Sequence, residues 1–472
     1  MASNASKQDE AFRRYALEAH PLKVLLSSCF PLALFQALQN IFKILDALMA
    51  SYIGANAVSA VSCLSQITLM VTALGSGLAV GGSIKISEAY GRGDYDAVRC
   101  RVASVYALAV MVSAVVAVTL IPFAEPFLRL MGTPEALIRE GAGYFRVEIL
   151  TLVVNFFNTV YFAIERSRGH AKRILRINLV IVMVKLGLSA FFVYILQRGI
   201  IMVAVATLIS QVGLLLFALY SMSKDDGAFR FSPKNIRMDG KTIRPIATLS
   251  YPVSAEKILF AAGKVIVNAM SGHYGALTVG ALGISNNIGG LTTSWHMGFT
   301  DGAVPLISQN RGAGKYRRTL RIFWYLLAVD VAIGVIGLIL VSQSLPWLAS
   351  VFASSKNNFD PSFSEMIAAI HAWEMLGYIT LGINSATMAL LLGYGYTKLT
   401  MLLNVSRVFV FRVPVLWLLQ NFTAMGAEAV GVTMMVSNIS TGLLAIVVAI
   451  PVVRKIRRMA GEEENGENLL SG

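Results

Sequence analysis

PLALFQALQNIFKILDALMASYIGANAVSAVSCLSQITLMVTALGSGLAVGGSIKISEAYGRGDY, residues 31–95, occurs twice in this chain. Moved by 221 positions it meets residues 252–316, PVSAEKILFAAGKVIVNAMSGHYGALTVGALGISNNIGGLTTSWHMGFTDGAVPLISQNRGAGKY, without a gap and with seventeen identities in sixty-five. Apolar composition would match Val, Leu and Ala by chance. It would not bring Pro31 onto Pro252, Lys43 onto Lys264, Gly54 onto Gly275, Gly77 and Gly81 onto Gly298 and Gly302, and Tyr95 onto Tyr316 in one register. The chain is an internal duplication. A shift of 226 extends it, placing Glu148 on Glu374, Asn158 on Asn384, Gly169 on Gly395, Lys172 on Lys398 and Asn178 on Asn404.

Composition says what has been duplicated. The chain is 56% hydrophobic and 14% charged, with a mean hydropathy of +0.65, which belongs to a membrane protein. Runs long enough to cross roughly 30 Å of hydrocarbon as helices fall near 24–51, 57–84, 102–122, 141–164, 174–196, 200–221, 247–271, 277–307, 322–345, 366–392, 400–420 and 428–453. This predicts an all-α integral membrane protein of about twelve transmembrane helices in two parallel six-helix repeats. The expected parts are a tail over 1–23, a first bundle over 24–221, a linker over 222–246, a second bundle over 247–453 and a tail over 454–472.

The net charge of +14 could suggest nucleic acid, so its distribution matters. Of 40 basic residues, 28 lie in the two tails and in alternate loops, from Arg92 to Arg101, Arg166 to Arg176, Lys224 to Arg244, Arg311 to Arg321 and at Lys398. By the positive-inside rule these segments and both termini face the cytoplasm of a cell-membrane protein. No nucleic-acid partner is expected. Cys29, Cys63 and Cys100 have no metal-site spacing and read as free thiols, and no signal peptide is visible. The loop GRGDYD after the second span lacks a phosphate-cradling pattern. No metalloprotease, serine-hydrolase or Cys/His metal motif is present, so neither an enzyme, a metal site nor a cofactor is expected.

Polar residues within the spans are the candidates for function, because each is costly in hydrocarbon. In the first span Gln36, Asn40, Lys43 and Asp46 form a stripe at helical spacing, downstream of Pro31, whose missing N–H weakens the helix. Glu256, Lys257, Asp301 and Arg407 fall nearer span ends, where long side chains reach water. Glu374 and Arg412 sit deeper. Lys264, Asn268 and Arg412 would give the second bundle a donor-rich lining suited to an anionic or zwitterionic substrate.

The stretches GSGLAVGGSIKISEAYGRGDYDAVR (75–99) and GFTDGAVPLISQNRGAGKYRR (298–318), with Asp46 eight residues before Gly54, AVATLISQ at 204–211 and Arg407 seven before Pro414, resemble the multidrug and toxic compound extrusion (MATE) family over essentially the whole chain. The resemblance implies a V-shaped, two-lobe antiporter that exports organic compounds or drugs by alternating access in exchange for protons or sodium. It also implies a coupling-ion site at Asp46 and a bend of the first helix at Pro31. On the fifth helix, where the family often has an asparagine and an aspartate, this chain has Lys185 and Ser189. An ammonium offers a cation no ligand, so protons are favoured over sodium, with Lys185 pairing Asp46; Lys43 is the competing partner. The other cavity candidates are Asn158 and Asn384. The expected partners are a small organic substrate and the bilayer, for a monomeric protein. A flippase or exporter of anionic, zwitterionic or lipid-linked substrates is the alternative.

Overall fold

The computed structural model describes the backbone of residues 4–53, 55–130, 135–196, 200–353 and 361–470, and side chains over the same residues except 4–6, 43–67, 127, 128, 130, 135–141, 200 and 464–470. Among the described residues there are sixteen α-helices and no strand. The first half contributes α1 (Asn4–Glu18), α2 (Pro21–Ile53), α3 (Ala55–Arg92), α4 (Tyr95–Leu120), α5 (Ala124–Leu130), α6 (Glu135–Ser167), α7 (Ala171–Ala190) and α8 (Ile200–Ser223). The second contributes α9 (Gly240–Ser271), α10 (Ala276–Gly312), α11 (Tyr316–Ala353), α12 (Pro361–Glu374), α13 (Tyr378–Gly393), α14 (Thr397–Phe409), α15 (Val413–Phe422) and α16 (Glu428–Leu470).

Apolar runs become helices because a backbone in hydrocarbon must satisfy its own hydrogen bonds. Ten segments among the described residues are long and apolar enough to cross a membrane. The expected spans 247–271 and 277–307 are also helical, within α9 and α10, at 32 and 37 residues. They are too polar to be counted by hydropathy, α9 for its five charges and α10 for its Ser, Thr, Asn and Gly.

The helix ends follow the repeat. Gly93 and Gly314, equivalent at 221, both have positive φ (79° and 75°), as do Gly169 and Gly395, equivalent at 226 (84° and 77°). Each lets the chain leave one helix and enter the next at angles a side chain resists. The following N-termini are satisfied differently. Asp94 accepts the Ala97 N–H at 3.0 Å to cap α4. Its equivalent before α11 is Lys315, which cannot accept; there Glu463, far along α16, accepts the N–H groups of Tyr316 and Arg317 at 2.9 and 3.2 Å.

By contacts the chain divides into one unit of residues 1–19 and 41–258 and another of 20–40 and 259–472. The boundaries at 40/41 and 258/259 fall inside α2 and α9, whereas the sequence placed the bundle limits at span ends. Two sets of glycine contacts account for the division. In the second unit α10 receives the first half of α2: a Cβ at Gly298 would lie 2.1 Å from Ala33 Cα, and one at Gly302 would lie 2.9 Å from Cys29 Cα. In the first unit α3 receives the first half of α9: a Cβ at Gly77 would lie 2.8 Å from the Ser254 nitrogen, and one at Gly81 would lie 2.9 Å from the Ser250 nitrogen. All four contacts map onto one another at 221, since Ala33 and Cys29 correspond to Ser254 and Ser250. Each repeat therefore lends the start of its first helix to the other. Pro31 and Pro252 both sit in these lent halves.

In the first unit the core runs from Leu78, Ile86 and Tyr90 through Val102, Tyr161 and Ile164 to Phe229, with a second cluster around Phe145, Ile149 and Phe156. α1 is fastened to this unit. Arg168 donates to Asp9 at 2.6 Å and also to Asp225, Ala228 N–H donates to Asp9 at 3.0 Å, and Arg13 donates to the carbonyls of Tyr90 and Gly91 at 3.0 Å. In the second unit Ile288, Val341, Leu345, Ile370 and Tyr378 form the larger core. Cys29 and Cys100 are free thiols; the Cys63 side chain lies outside the described residues.

The glycine contacts predict a sharp contrast within one helix. Gly298→Ala forces α10 and α2 apart and should destabilise the protein by about 1–3 kcal/mol, the range for overpacking. Gly283→Ala, where a Cβ meets nothing within 4 Å, should leave stability unchanged or raised. Thermal unfolding of the two variants in detergent, side by side, measures the difference.

Candidate functional site

Both units bury ionisable groups, but in the second they lie within apolar helices, and the first cluster there forms where α10 meets α12 and α13. His371 and Glu374 lie one turn apart on α12, with Nδ1 and Oε2 separated by 3.6 Å. Ser285 on α10 is fully buried and touches both, 2.8 Å from His371 Nδ1 and in a short hydrogen bond to Glu374. On the far side of the imidazole, Nε2 is 2.8 Å from the Tyr378 hydroxyl. Donor and acceptor roles are then fixed along the row. If Glu374 is ionised, Ser285 donates to it, His371 Nδ1–H donates to Ser285, and Tyr378 donates to Nε2. If Glu374 is protonated on the oxygen that faces Ser285, every bond in the row reverses and Nε2–H donates to Tyr378. The row can thus run in two directions, which differ by a proton at the carboxyl and by the tautomer of His371.

A second pair lies between α10 and α11. His296 Nδ1 is 2.9 Å from Asp330 Oδ1, with the two side chains 4% and 0% exposed. The pair is built at a close crossing, since a Cβ at Gly382 of α13 would lie 2.5 Å from the Asp330 carbonyl and 3.1 Å from the His296 ring. Beside it Ser385 donates to the His296 carbonyl at 3.1 Å and bonds Thr300 at 2.6 Å. His296 Nε2 and Asp330 Oδ2 have no hydrogen-bond partner among the described residues.

The third cluster contains the arginines. Arg407, in the last turn of α14, donates to Asn438 Oδ1 at 2.7 Å, and Arg412, immediately before α15, donates to Ser437 Oγ at 3.1 Å. Glu374 is the acidic group whose charge reaches both.

The residues singled out in the sequence are distributed as follows. Lys43 and Asp46 have side chains outside the described residues, so neither proposed pair with Asp46 falls within them. Lys185 is half-buried on α7, and its charge acts on Glu148 of α6; Ser189, one turn on, is buried. Gln36 donates to Asp301 at 3.0 Å, and Asn40 makes a long contact of 3.4 Å to the Asn287 carbonyl. Asn158 donates to both the carbonyl and the side-chain oxygen of Gln211 at 2.9 and 2.8 Å, joining α6 to α8. Its repeat partner Asn384 is also buried. Lys264 is exposed, with its ammonium 5.4 Å from the Phe260 ring, and Asn268 is half-buried on the same helix. Glu374 and Arg412 are brought into neighbouring clusters. Glu256 is buried in the other unit and Lys257 is exposed. Sequence reasoning passed over Ser285, His296, Asp330 and His371. A carboxylate inside WYLLAVDVAIGV and a histidine three residues before Glu374 were the available signals.

Comparison with known proteins gives a coherent picture. The family model described as MatE matches residues 31–191 and 252–418, the two copies of the repeat. The "Probable multidrug resistance protein YoeA" of Bacillus subtilis is 24% identical over 85% of this chain and 87% of its own length. The "Multidrug export protein MepA" of Staphylococcus haemolyticus is 22% identical over 73% and 76%. Among solved structures, an "Outward-facing conformation of a multidrug resistance MATE family transporter of the MOP superfamily" superposes with a TM-score of 0.88 over 94% of this chain and 98% of that one. A MOP superfamily transporter from Pyrococcus furiosus, whose title speaks of "Reverse polarity of binding pocket", gives 0.89 over the same shares. Both are 18% identical, a likeness that establishes the fold.

The Ser285 hydroxyl is the shared link of the first cluster. Ser285→Ala strands His371 Nδ1 and a Glu374 oxygen, and should lower stability by about 1–3 kcal/mol, the cost of an unsatisfied buried group. Ser285→Thr, which keeps the hydroxyl, should recover most of it in the same thermal unfolding assay.

Proposed function

The chain belongs to the MatE family of multidrug and toxic compound extrusion proteins, matched over both repeats, and from that premise we propose that it is a secondary active exporter of small organic compounds driven by protons. Relatives that share most of its length are named for multidrug export and resistance. The expected setting is the cell membrane with both termini cytoplasmic, as the basic loops indicate.

The observation that carries proton coupling is the reversible row Tyr378–His371–Ser285–Glu374. A coupled exporter needs a group that changes charge when the driving ion arrives, with partners that remain satisfied in both states. Glu374 meets that requirement, because protonation removes its charge while the row reverses direction. His296 with Asp330 supplies a second buried acceptor in the same unit. A sodium ion needs several converging oxygens. Around Glu374 the contacts are an imidazole and a hydroxyl already committed to hydrogen bonds, and on the fifth transmembrane helix Lys185 brings a positive charge. Asp46, expected from the family resemblance, is proposed as a further proton carrier in the first unit, and Pro31 as a point where α2 bends during the cycle.

Alternating access then follows as a population shift. Protonated Glu374 releases the electrostatic hold on Arg412, and deprotonation restores it, so the two protonation states favour different arrangements of α12, α14 and α15. The experiment is ethidium transport in proteoliposomes under an imposed pH gradient, then under a sodium gradient at equal pH. The pH gradient should drive transport in the wild type, and sodium should not. Glu374→Gln, neutral at every pH, should still bind ethidium but lose the proton-driven flux, and Asp46→Asn should slow it. Wild-type flux in Glu374→Gln, or transport powered by sodium alone, would sink the proposal.

A further inference from the structure

The break between α14 and α15 places two guanidinium groups against one stretch of α16. The N–H groups of both Val410 and Phe411 bond the Ser406 carbonyl at 3.0 Å, Arg412 N–H bonds Val408 at 3.2 Å, and α15 starts afresh at Val413 with Pro414 in its first turn. Arg407 and Arg412 therefore leave the chain on either side of the break, yet reach adjacent residues of α16, Asn438 and Ser437. Both of those are completely buried. Asn438 is held from behind by Gly377, where a Cβ would come within 2.5 Å of the asparagine Cβ. Gly263 lets α9 close on Val408, which carries Phe260 beneath Arg407 at 5.6 Å from ring centre to guanidinium carbon.

This site has more positive charge than its surroundings answer. Among the described residues neither guanidinium has an ion-pair partner; their hydrogen bonds go to a neutral amide and a neutral hydroxyl. Glu374 acts on both from beyond contact, while its own carboxylate is engaged by Ser285 and His371. Two full charges thus face one distant, occupied carboxylate within the membrane-spanning bundle, where a charge without a counter-charge is costly. Two donors are also unfilled. Arg407 Nε and Asn438 Nδ2 are buried and have no hydrogen-bond partner among the described residues. The asparagine orientation follows from its bond to Arg407, since the oxygen must accept that N–H and the amino group is left to donate elsewhere.

We propose that Arg407, Arg412 and Asn438 form a binding site for the acidic group of an amphiphilic organic anion, a carboxylate or a phosphate ester. Such a group accepts from the guanidinium edge and the amide together, the bidentate geometry that arginine offers and lysine does not. Phe260 borders the site with the Lys264 ammonium also 5.4 Å from its ring, which adds to the positive surroundings, and an organic or metal cation is repelled by the two guanidiniums. The site goes beyond the proton-driven export proposed above and does not depend on it.

The test is binding of fluorescein, a fluorescent carboxylate, to the full chain in phosphatidylcholine nanodiscs, followed by anisotropy, with ethidium as the cationic comparison. The wild type should bind fluorescein, and Arg407→Gln should weaken it by about tenfold or more, the loss of one charge-assisted hydrogen bond, while ethidium affinity holds. Asn438→Asp places a carboxylate against Arg407 inside the protein. It should raise thermal stability and weaken fluorescein to the same extent, because the internal acid occupies the site. Replacing part of the phosphatidylcholine by phosphatidylglycerol separates the two sources of the anion. A weaker fluorescein affinity identifies a lipid headgroup as occupant, and an unchanged one identifies a free organic anion; either supports the site. No fluorescein binding by the wild type, or Asn438→Asp that is stabilised yet binds as the wild type does, overturns it. Proton-driven ethidium flux is read separately, so failure of the coupling proposal leaves this result standing.

Discussion

Helix backbones come into direct contact at Gly298 and Gly302, where α10 receives the first half of α2, and at Gly77 and Gly81, where α3 receives the first half of α9. In a bilayer no hydrophobic gain drives two apolar helices together, so close approach over small residues has to supply the attraction. The exchange makes each unit a mixture of both repeats. It also sets the chemistry, because α10 is held in place by α2 along the surface that carries Asp301, bonded to Gln36, and presents Ser285 and His296 to α12 and α11.

The cost of charge in hydrocarbon governs what is built on that frame. Each buried acid of the second unit has an imidazole beside it, and each imidazole has an assigned role on at least one nitrogen. Neutral partners such as Ser285, Tyr378 and Ser385 carry hydrogen bonds without adding charge. Toward the ends of the helices the solution differs. Arg168 sits between Asp9 and Asp225, two acids around one base, and that excess of acid fastens α1 to the loops of the first unit. The arginines beside α16 are the opposite case, two bases with no acid in contact, and an incoming anion would complete them.

Much of this was legible in the sequence. The shift of 221 identified the repeat, and the glycines that stand out in it are the ones at the helix contacts and at the turns of positive φ. The exchange of helix starts was not legible, for a reason intrinsic to duplication. Gly77 can meet Ala33 of its own repeat or Ser254 of the other, and both are small residues at the same register, so the pattern serves either arrangement equally. Asn158, Glu374 and Arg412 were singled out because a polar residue in an apolar run is conspicuous, and all three are buried. His296 and Asp330 were missed because they are 34 residues apart and meet only when α10 and α11 pack. His371 was dismissed among five scattered histidines, although its spacing from Glu374 puts the two on one helix face. Lys43 and Asp46, the most prominent charges of the first span, lie where no side chain is described.

The repeat also relates the charged clusters of the two units. At a shift of 226, Glu148 falls on Glu374, and Lys185 falls on Phe411, one residue from Arg412. Lys185 is the base acting on Glu148, as Arg412 acts on Glu374. Each bundle thus keeps an acid at the corresponding place, and the difference lies in what surrounds it. The positions matching His371, Arg407 and Ser285 in the first repeat are Phe145, Ile181 and Leu64, whose side chains offer no hydrogen bond. Both halves keep the acid, and the polar side chains gathered around it in the second repeat come from α10, α12, α14 and α16.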